Sequence, residues 1–422
     1  MDFLKHQQKI AAHVVWITIC ILIGISSGSS SALLLCGLER ATQVFTTHKM
    51  LFWLLPVGGL VIGLLYHYVG KESNKGNNLL LIAYANPETK VPLRMGFLVF
   101  LGTLITHLLG GSAGREGTAV QMGSAIAYQF NKLKIISTKD SQLLIILGIS
   151  AGFASVFGTP LAGAIFALEI VCFKSVTLKS FLYVFLVAFI ADYTVDLYEI
   201  KHSTYHIFEI PHLTFDTLLW VLVAGLLFGL TAMLYSKSAE YWHKLFTGVI
   251  SFAPARPFVG GLLLGILFYY FDMTRYTGLG LPFIAESFTT TSLPQDFLLK
   301  IVLTGLTLGS GFKGGEVTPL FFIGATLGST LSLFIPLHIS LLAGIGFISI
   351  LSGATNTPIA CSIMGMELFG LDAGLFICLA CSMAYFCSGS TGIYTSQLKK
   401  GLKYTLYAYC YKKIRFLKRF KI

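Results

Sequence analysis

Long uncharged stretches separated by short polar ones run the length of the chain. The first, AAHVVWITICILIGISSGSSSALLLC (residues 11–36), is long enough to cross a hydrocarbon core. It has the look of a signal peptide. Apolar segments follow it throughout, however, and no tidy cleavage site ends it, so a retained first helix is expected. Later stretches are shorter and broken by glycine clusters at 109–117, 308–315 and 388–392. A straight spanning helix does not need them. Irregular backbone is tolerated at membrane depth only where it is buried in protein or lines a cavity. Each cluster precedes a plausible helix start, so half-helices with inward-pointing N-termini are expected, and free N–H groups with a positive dipole end attract anions.

The chain also repeats itself. At a shift of 198 residues, GSAGREGT (111–118) falls on GSGFKGGE (309–316), and LGISAGFASVFGTPLAGAIFALE (147–169) falls on IGFISILSGATNTPIACSIMGME (345–367). The second pair aligns Gly148 with Gly346, Thr159-Pro160 with Thr357-Pro358, and Glu169 with Glu367. Two related halves, expected at 10–195 and 215–390, are the architecture of secondary transporters, with substrate near the midplane. Whether the halves are inverted is not readable from the letters. One transmembrane domain over 1–422 is expected, with no soluble regulatory domain.

Composition agrees: 55% of residues are hydrophobic and 12% charged, against about 25% charged in a soluble globular chain. The net charge of +11 matters by its placement. From Ala373 to Ile422 there is no acidic residue and there are nine Lys or Arg. The positive-inside rule makes this basic tail (397–422) cytoplasmic, and Lys5 and Lys9 place the N-terminus there too. The basic residues alternate with Tyr, Phe and Ile, which suits an anionic lipid surface better than nucleic acid. The eight cysteines are scattered through apolar segments and look like buried thiols, the Cys378/Cys381 pair included. His202, His206 and His212, near Glu209, read as an external loop rather than a metal site. No metal or cofactor is called for.

Within GGSAGREGTAV, Glu116 stands where a helix begins. Deprotonated, its carboxylate competes with an anion for that helix end; protonated, it leaves. One side chain thereby couples anion to proton movement. The alternative is a structural Arg115–Glu116 pair, which neighbours on a helix do not readily form.

At these residues the chain resembles a known family. GREGT followed by AVQMG, and FGTPLAGAIFALE, are similar to motifs of the CLC anion channels and anion/proton antiporters, over about Leu54 to Ser396. KGNNLLL (75–81), PLRMGFLVFLGTLITHLLGGSAGREGTAVQMG (92–123) and GFKGGEVTPLFFIGATLG (311–328) resemble its bacterial fluoride/proton antiporter branch. The resemblance implies an all-α inverted-repeat fold, a homodimer with one pathway per subunit, and a multi-pass place in the bacterial inner membrane. It implies fluoride export driven by proton entry, with a chloride/proton antiporter or passive chloride channel as the alternative.

It also assigns roles. Glu116 matches the gating glutamate, with Gly114, Arg115 and Gly117 around it in the anion site. Asn77, with Asn78, stands where chloride-selective members place an anion-coordinating serine. Asparagines there also cap helices, and the two roles are compatible. Glu316 and Thr318 match branch-specific residues, Glu316 as a second proton-path or polar element. Tyr394 matches the tyrosine whose hydroxyl faces the anion. Ile170 stands where many chloride/proton antiporters carry an inner proton-transfer glutamate, so coupling is expected to rest on Glu116, helped by Glu316. Glu169 and Glu367 are expected to be structural. An enzyme is not expected: GISAG (148–152) fits GxSxG but lies in an apolar helical run, and neither HExxH nor a Walker-type motif occurs.

Overall fold

The computed structural model describes residues 2–133, 140–172, 177–399 and 401–409, with side chains from residue 11 onward. Lys400, the basic run from Lys412 and the side chains of Lys5 and Lys9 lie outside the described residues. Apart from one isolated bridge, the described residues form helices and connecting turns and no named strand.

The main helices fall into two runs of eight. The first is α1 (Asp2–Thr47), α2 (Leu55–Leu65), α3 (Asn77–Ala85), α4 (Arg94–Leu108), α5 (Glu116–Ala127), α6 (Asp140–Phe157), α7 (Pro160–Ile170) and α8 (Leu178–Leu197). The second is α9 (Phe215–Val249), α10 (Ala255–Tyr270), α11 (Leu281–Glu286), α12 (Asp296–Ser310), α13 (Val317–Leu331), α14 (Ile339–Thr355), α15 (Pro358–Phe369) and α16 (Gly374–Cys387). A short helical segment at 402–409 follows.

The packing of the first run recurs in the second. The α1–α8, α4–α5, α5–α6 and α6–α8 contacts are repeated by α9–α16, α12–α13, α13–α14 and α14–α16. Across the runs, α2 packs on α10, α5 on α13 and α7 on α15. Elements touching their own counterparts mark a two-fold axis, as in an isologous interface. The runs are inverted. Cys172, just before α8, donates its thiol to the Leu398 carbonyl in the C-terminal segment at 3.4 Å. Over 20 residues, about 30 Å at 1.5 Å each, α8 crosses to the far side and ends in the 198–214 loop. Its counterpart α16 instead ends beside the C-terminal segment.

Two carboxylates tie the halves at the axis. Glu169 at the end of α7 accepts from the Ile359 and Ala360 N–H groups at the start of α15, at 3.1 and 2.7 Å. Glu367 at the end of α15 accepts from Leu161 and Ala162 at the start of α7, at 2.9 and 2.7 Å. Each is a helix N-terminus satisfied by the other half. The close α13–α14 contact needs small residues: a Cβ on Gly324 would sit 2.1 Å from the Gly346 carbonyl oxygen.

The 198-residue register holds at α7 and α15 but not at the first aligned pair. There, Gly114 and Gly315 exchange both backbone hydrogen bonds at 2.7 Å, and α5 and α13 begin at Glu116 and Val317. The spacing is therefore 201, and the counterpart of Glu316 is Arg115, not Thr118. Matching letters without a gap missed this, because backbone pairing sets the register. Ser150, of the GxSxG match, lies inside α6 and donates to the Val184 carbonyl at 3.1 Å, an ordinary buried hydroxyl. Among the described residues, five helices are long and apolar enough to cross a membrane, and several more are apolar but shorter.

Candidate functional site at the meeting of helix ends

Glycine lets the two halves touch where α5 and α13 begin. A Cβ on Gly315 would meet the Arg115, Glu116 and Gly117 backbone nitrogens at 2.8–3.1 Å. One on Gly114 would meet Glu116 Oε2 at 2.8 Å. The Gly114 N–H is committed to Gly315, so Gly114 makes room for the carboxylate and is not a free anion donor. Gly117 brings α3 in, because a Cβ there would lie 3.1 Å from Asn77 Nδ2 and 3.2 Å from the Gly315 Cα.

Glu116 is 1% exposed. Its Oε2 accepts from the Arg115 N–H and the Thr318 N–H, each at 3.1 Å, and its Oε1 accepts from the Thr318 hydroxyl. The carboxylate thus spans the N-termini of both helices, where an anion is favoured. Arg115 sits at the N-cap position of α5, and its Nε lies 3.8 Å from Glu116 Oε1. That Nε makes no hydrogen bond, so the strong donors are the two amides and the hydroxyl. On the α4–α5 side, the Thr118 and Thr103 hydroxyls bond each other at 2.7 Å.

The start of α5 stands between two cavities, Glu116 bordering one and Gly117 the other. On the side of the 198–214 loop is a small one of about 30 Å³, bordered by Arg115, Glu116, His202, Tyr205, Thr318 and Phe321. On the side of the C-terminal segment opens a vestibule of about 580 Å³, bordered by Asn77, Asn78, Gly117, Glu316 and Tyr394. Lys75, Lys313 and Lys399 border it too, as does Glu240. Lys313 is held by Asn74 Oδ1 at 2.9 Å and by the Tyr66 ring at 4.1 Å.

The sequence-predicted residues therefore divide. Glu116 and Thr318 meet on the loop side; Asn77, Asn78, Gly117, Glu316 and Tyr394 share the vestibule. Neither asparagine caps α3. Asn77 Oδ1 is buried without a partner, and Asn78 Oδ1 accepts from Ser396 N–H at 2.9 Å, which fixes the segment carrying Tyr394. Glu316 and Glu116 both lie within electrostatic reach of Tyr394.

Several residues here had no signal in the sequence. Phe321 stacks on Phe347 at 3.8 Å and leans on Phe157 at 5.4 Å, walling the small cavity with rings. Tyr235 of α9 buries a hydroxyl without a hydrogen-bond partner, within electrostatic reach of Glu316. His206 and His212 are exposed, as expected of a loop, while His202 turns inward to the small cavity. Phenylalanines in apolar helices look alike until the helices are packed.

The family described as voltage gated chloride channel matches residues 58–389. A chloride/fluoride channel protein of Pseudomonas syringae pv. tomato is 43% identical over 388 residues, 90% of this chain and 86% of that protein. A crystal structure of a CLC-type fluoride/proton antiporter superposes with a TM-score of 0.87 at 35% identity, covering 91% of this chain and 98% of that one. A slow cyanobacterial chloride/proton antiporter, 17% identical, shares the fold with a TM-score of 0.78 over 94% of this chain and 98% of that one.

Proposed function

The chain belongs to the voltage gated chloride channel family, the CLC transporters and channels, and we propose that it exports fluoride in exchange for protons. One observation carries the reading. At a helix start bordered by both cavities, the Glu116 carboxylate occupies the amide and hydroxyl donors that an anion crossing there would need. Protonating it removes the charge that those donors favour. The neutral carboxyl is released, and the helix ends then take the anion. Fluoride is small and strongly hydrated, so replacing its water requires short, strong donors. The Thr318 amide and hydroxyl, the Asn77 amide and the α5 N-terminus are of that kind.

The proposal extends to the other residues. Glu316 and Tyr394 act on the vestibule side, Glu316 as a second polar or protonatable element and Tyr394 through its hydroxyl. Arg115 adds positive charge on the loop side, and Asn78 holds the Tyr394 segment. The basic C-terminal tail makes the vestibule cytoplasmic and the 198–214 loop external, with both termini inside. A homodimer in the bacterial inner membrane, one pathway per subunit and a transport cycle without chemical conversion complete the reading. So do repeats at 10–195 and 215–390 within a single transmembrane domain.

The test is efflux from proteoliposomes holding the purified chain. Fluoride release under a fluoride gradient should acidify or alkalinise the two compartments in the sense of exchange. Chloride should move far more slowly. Fluoride flux without proton movement in the wild type would leave a passive channel as the better reading.

A further inference from the structure

The small cavity beside Glu116 has a titratable wall that the exchange reading does not use. His202 lies in the 198–214 loop, and the loop is anchored where it passes. Tyr205 stacks on Phe288 with centroids 5.4 Å apart and leans on Phe347 at 5.4 Å. Phe208 N–H donates to Ser340 Oγ at 2.9 Å. The fold makes room for the ring: Gly158 has φ +70°, and a Cβ there would lie 2.7 Å from His202 Cδ2. Glycine follows α6 at the one place where both the backbone and the imidazole require it.

Neither ring nitrogen of His202 makes a well-formed hydrogen bond among the described residues. Both nitrogens are buried; the neighbouring Ser203 is exposed on the loop side, and the ring borders the cavity that Glu116 lines. That cavity, about 30 Å³, has room for a water molecule. Phe157, Phe321, Phe347, Leu281 and Leu368 supply its apolar walls, and Arg115, Ser203, Tyr205 and Thr318 line it as well.

We propose that His202 is a proton relay at the external mouth, taking protons from solvent and passing them across the small cavity to the Glu116 carboxylate. The inference rests on the exchange reading above and adds the external half of the proton route. The step balances simply. Imidazole binds a proton from external water; the imidazolium N–H breaks as an O–H bond forms on Glu116, directly or through one water. The neutral ring is restored and the carboxyl, now uncharged, is released from Thr318.

The charged and titratable groups facing the ring are Arg115 and Glu116 at the start of α5, Tyr205 in the same loop and Asp196 near the end of α8. Burial, and then Arg115, hold the imidazole below its ordinary value of 6.5, opposed by Asp196 and the Val156 carbonyl. Around neutral pH the ring is therefore mostly uncharged, and a proton it captures is readily given up. A relay needs that property, whereas a residue kept for its positive charge does not.

The experiment compares wild type, His202→Gln and His202→Ala in proteoliposomes over an external pH range of about 5 to 8. Fluoride and proton fluxes are recorded together. We expect His202→Gln to exchange roughly five- to tenfold more slowly near pH 7 and to approach wild type near pH 5, with the proton-to-fluoride ratio unchanged because Glu116 remains. External imidazole should restore part of the His202→Ala rate. If Gln fails to reconstitute, His202→Asn takes the same test. Superimposable pH profiles for active variants, or a uniform loss at every pH that imidazole does not relieve, would overturn the relay. Absence of proton-coupled fluoride flux in the wild type would instead strike at the exchange reading.

Discussion

Glu116 and Thr318 stand 202 residues apart in sequence, yet the threonine gives the glutamate both its backbone N–H and its hydroxyl. The two helix ends were brought together by a pair of glycines that exchange hydrogen bonds at 2.7 Å. A charged group inside a membrane protein is costly unless its partners are in place. Here each half supplies part of the set, so the site exists only when both halves are folded against each other.

Removing the charge should uncouple the site. Glu116→Gln keeps the volume but cannot take up and release a proton. Proton movement driven by a fluoride gradient should disappear, while fluoride flux either stops or runs passively. A glutamine variant with wild-type proton movement would show that another group carries the proton.

The Thr318 hydroxyl should matter apart from its amide, which survives any substitution other than proline. Thr318→Val removes one hydrogen bond to a charged acceptor, worth about 1.5–3 kcal/mol. Exchange should fall by roughly tenfold or more, with Thr318→Ser retaining most of the rate. Equal rates for valine and serine would mean that the hydroxyl plays no part.

Asn77 is expected to act on selectivity. Its amide borders Gly117 and the vestibule, with Oδ1 unpaired. Asn77→Ala should lower the ratio of fluoride to chloride flux, because the anion that most needs a short donor loses most. An unchanged ratio and unchanged fluoride affinity would move selectivity to Thr318 and the helix ends.

The reciprocal carboxylates make a stability prediction. Glu169→Gln or Glu367→Gln weakens charge-assisted bonds to two backbone N–H groups of the opposite half. Each should destabilise the protein by about 1.5–3 kcal/mol, read as a lower melting temperature in detergent. Both pairs hold the same α7–α15 contact, so the double variant should lose less than the sum. Full additivity would mean that the two caps act independently.

Physiology gives a further outcome. One proton inward against one fluoride outward moves two charges in the same electrical sense. Each is worth about 2.3 kcal/mol per 100 mV, so an inside-negative potential should speed export. A bacterial strain without its own fluoride exporter should grow in fluoride when it expresses this chain, and should not with Glu116→Gln. Sensitivity to fluoride despite the protein reaching the membrane would remove fluoride as the physiological substrate.

Several features are legible in the sequence alone. Low charge, long apolar stretches and glycine clusters specify membrane helices and cavity-lining breaks, because hydrocarbon solvates neither charge nor free backbone. GREGT marks one helix start, and Thr-Pro with a following glutamate marks the α7 and α15 pair. Local letters carry that much because helix starts and apolar runs are local properties.

What the letters left open depended on which surfaces meet. The register of 201 at Gly114 and Gly315 came from backbone pairing, to which side-chain identity is nearly blind. Asn77 and Asn78 read as anion-site residues or as helix caps, and only the packing of α3 against α5 and the Tyr394 segment placed one at the vestibule and bonded the other to Ser396. Phe157, Phe321 and Phe347 were three among 34 phenylalanines until α6, α13 and α14 closed around one cavity. His202 shared a polar loop with two other histidines, and the room beside Gly158 separated it from them. By itself the sequence determined the membrane class, the two-fold repeat and the glutamate at a helix end. The tertiary structure decided what that glutamate touches and which neighbours share its cavities. A hydrogen bond across 202 residues is a property of two packed surfaces, and no local stretch contains both of them.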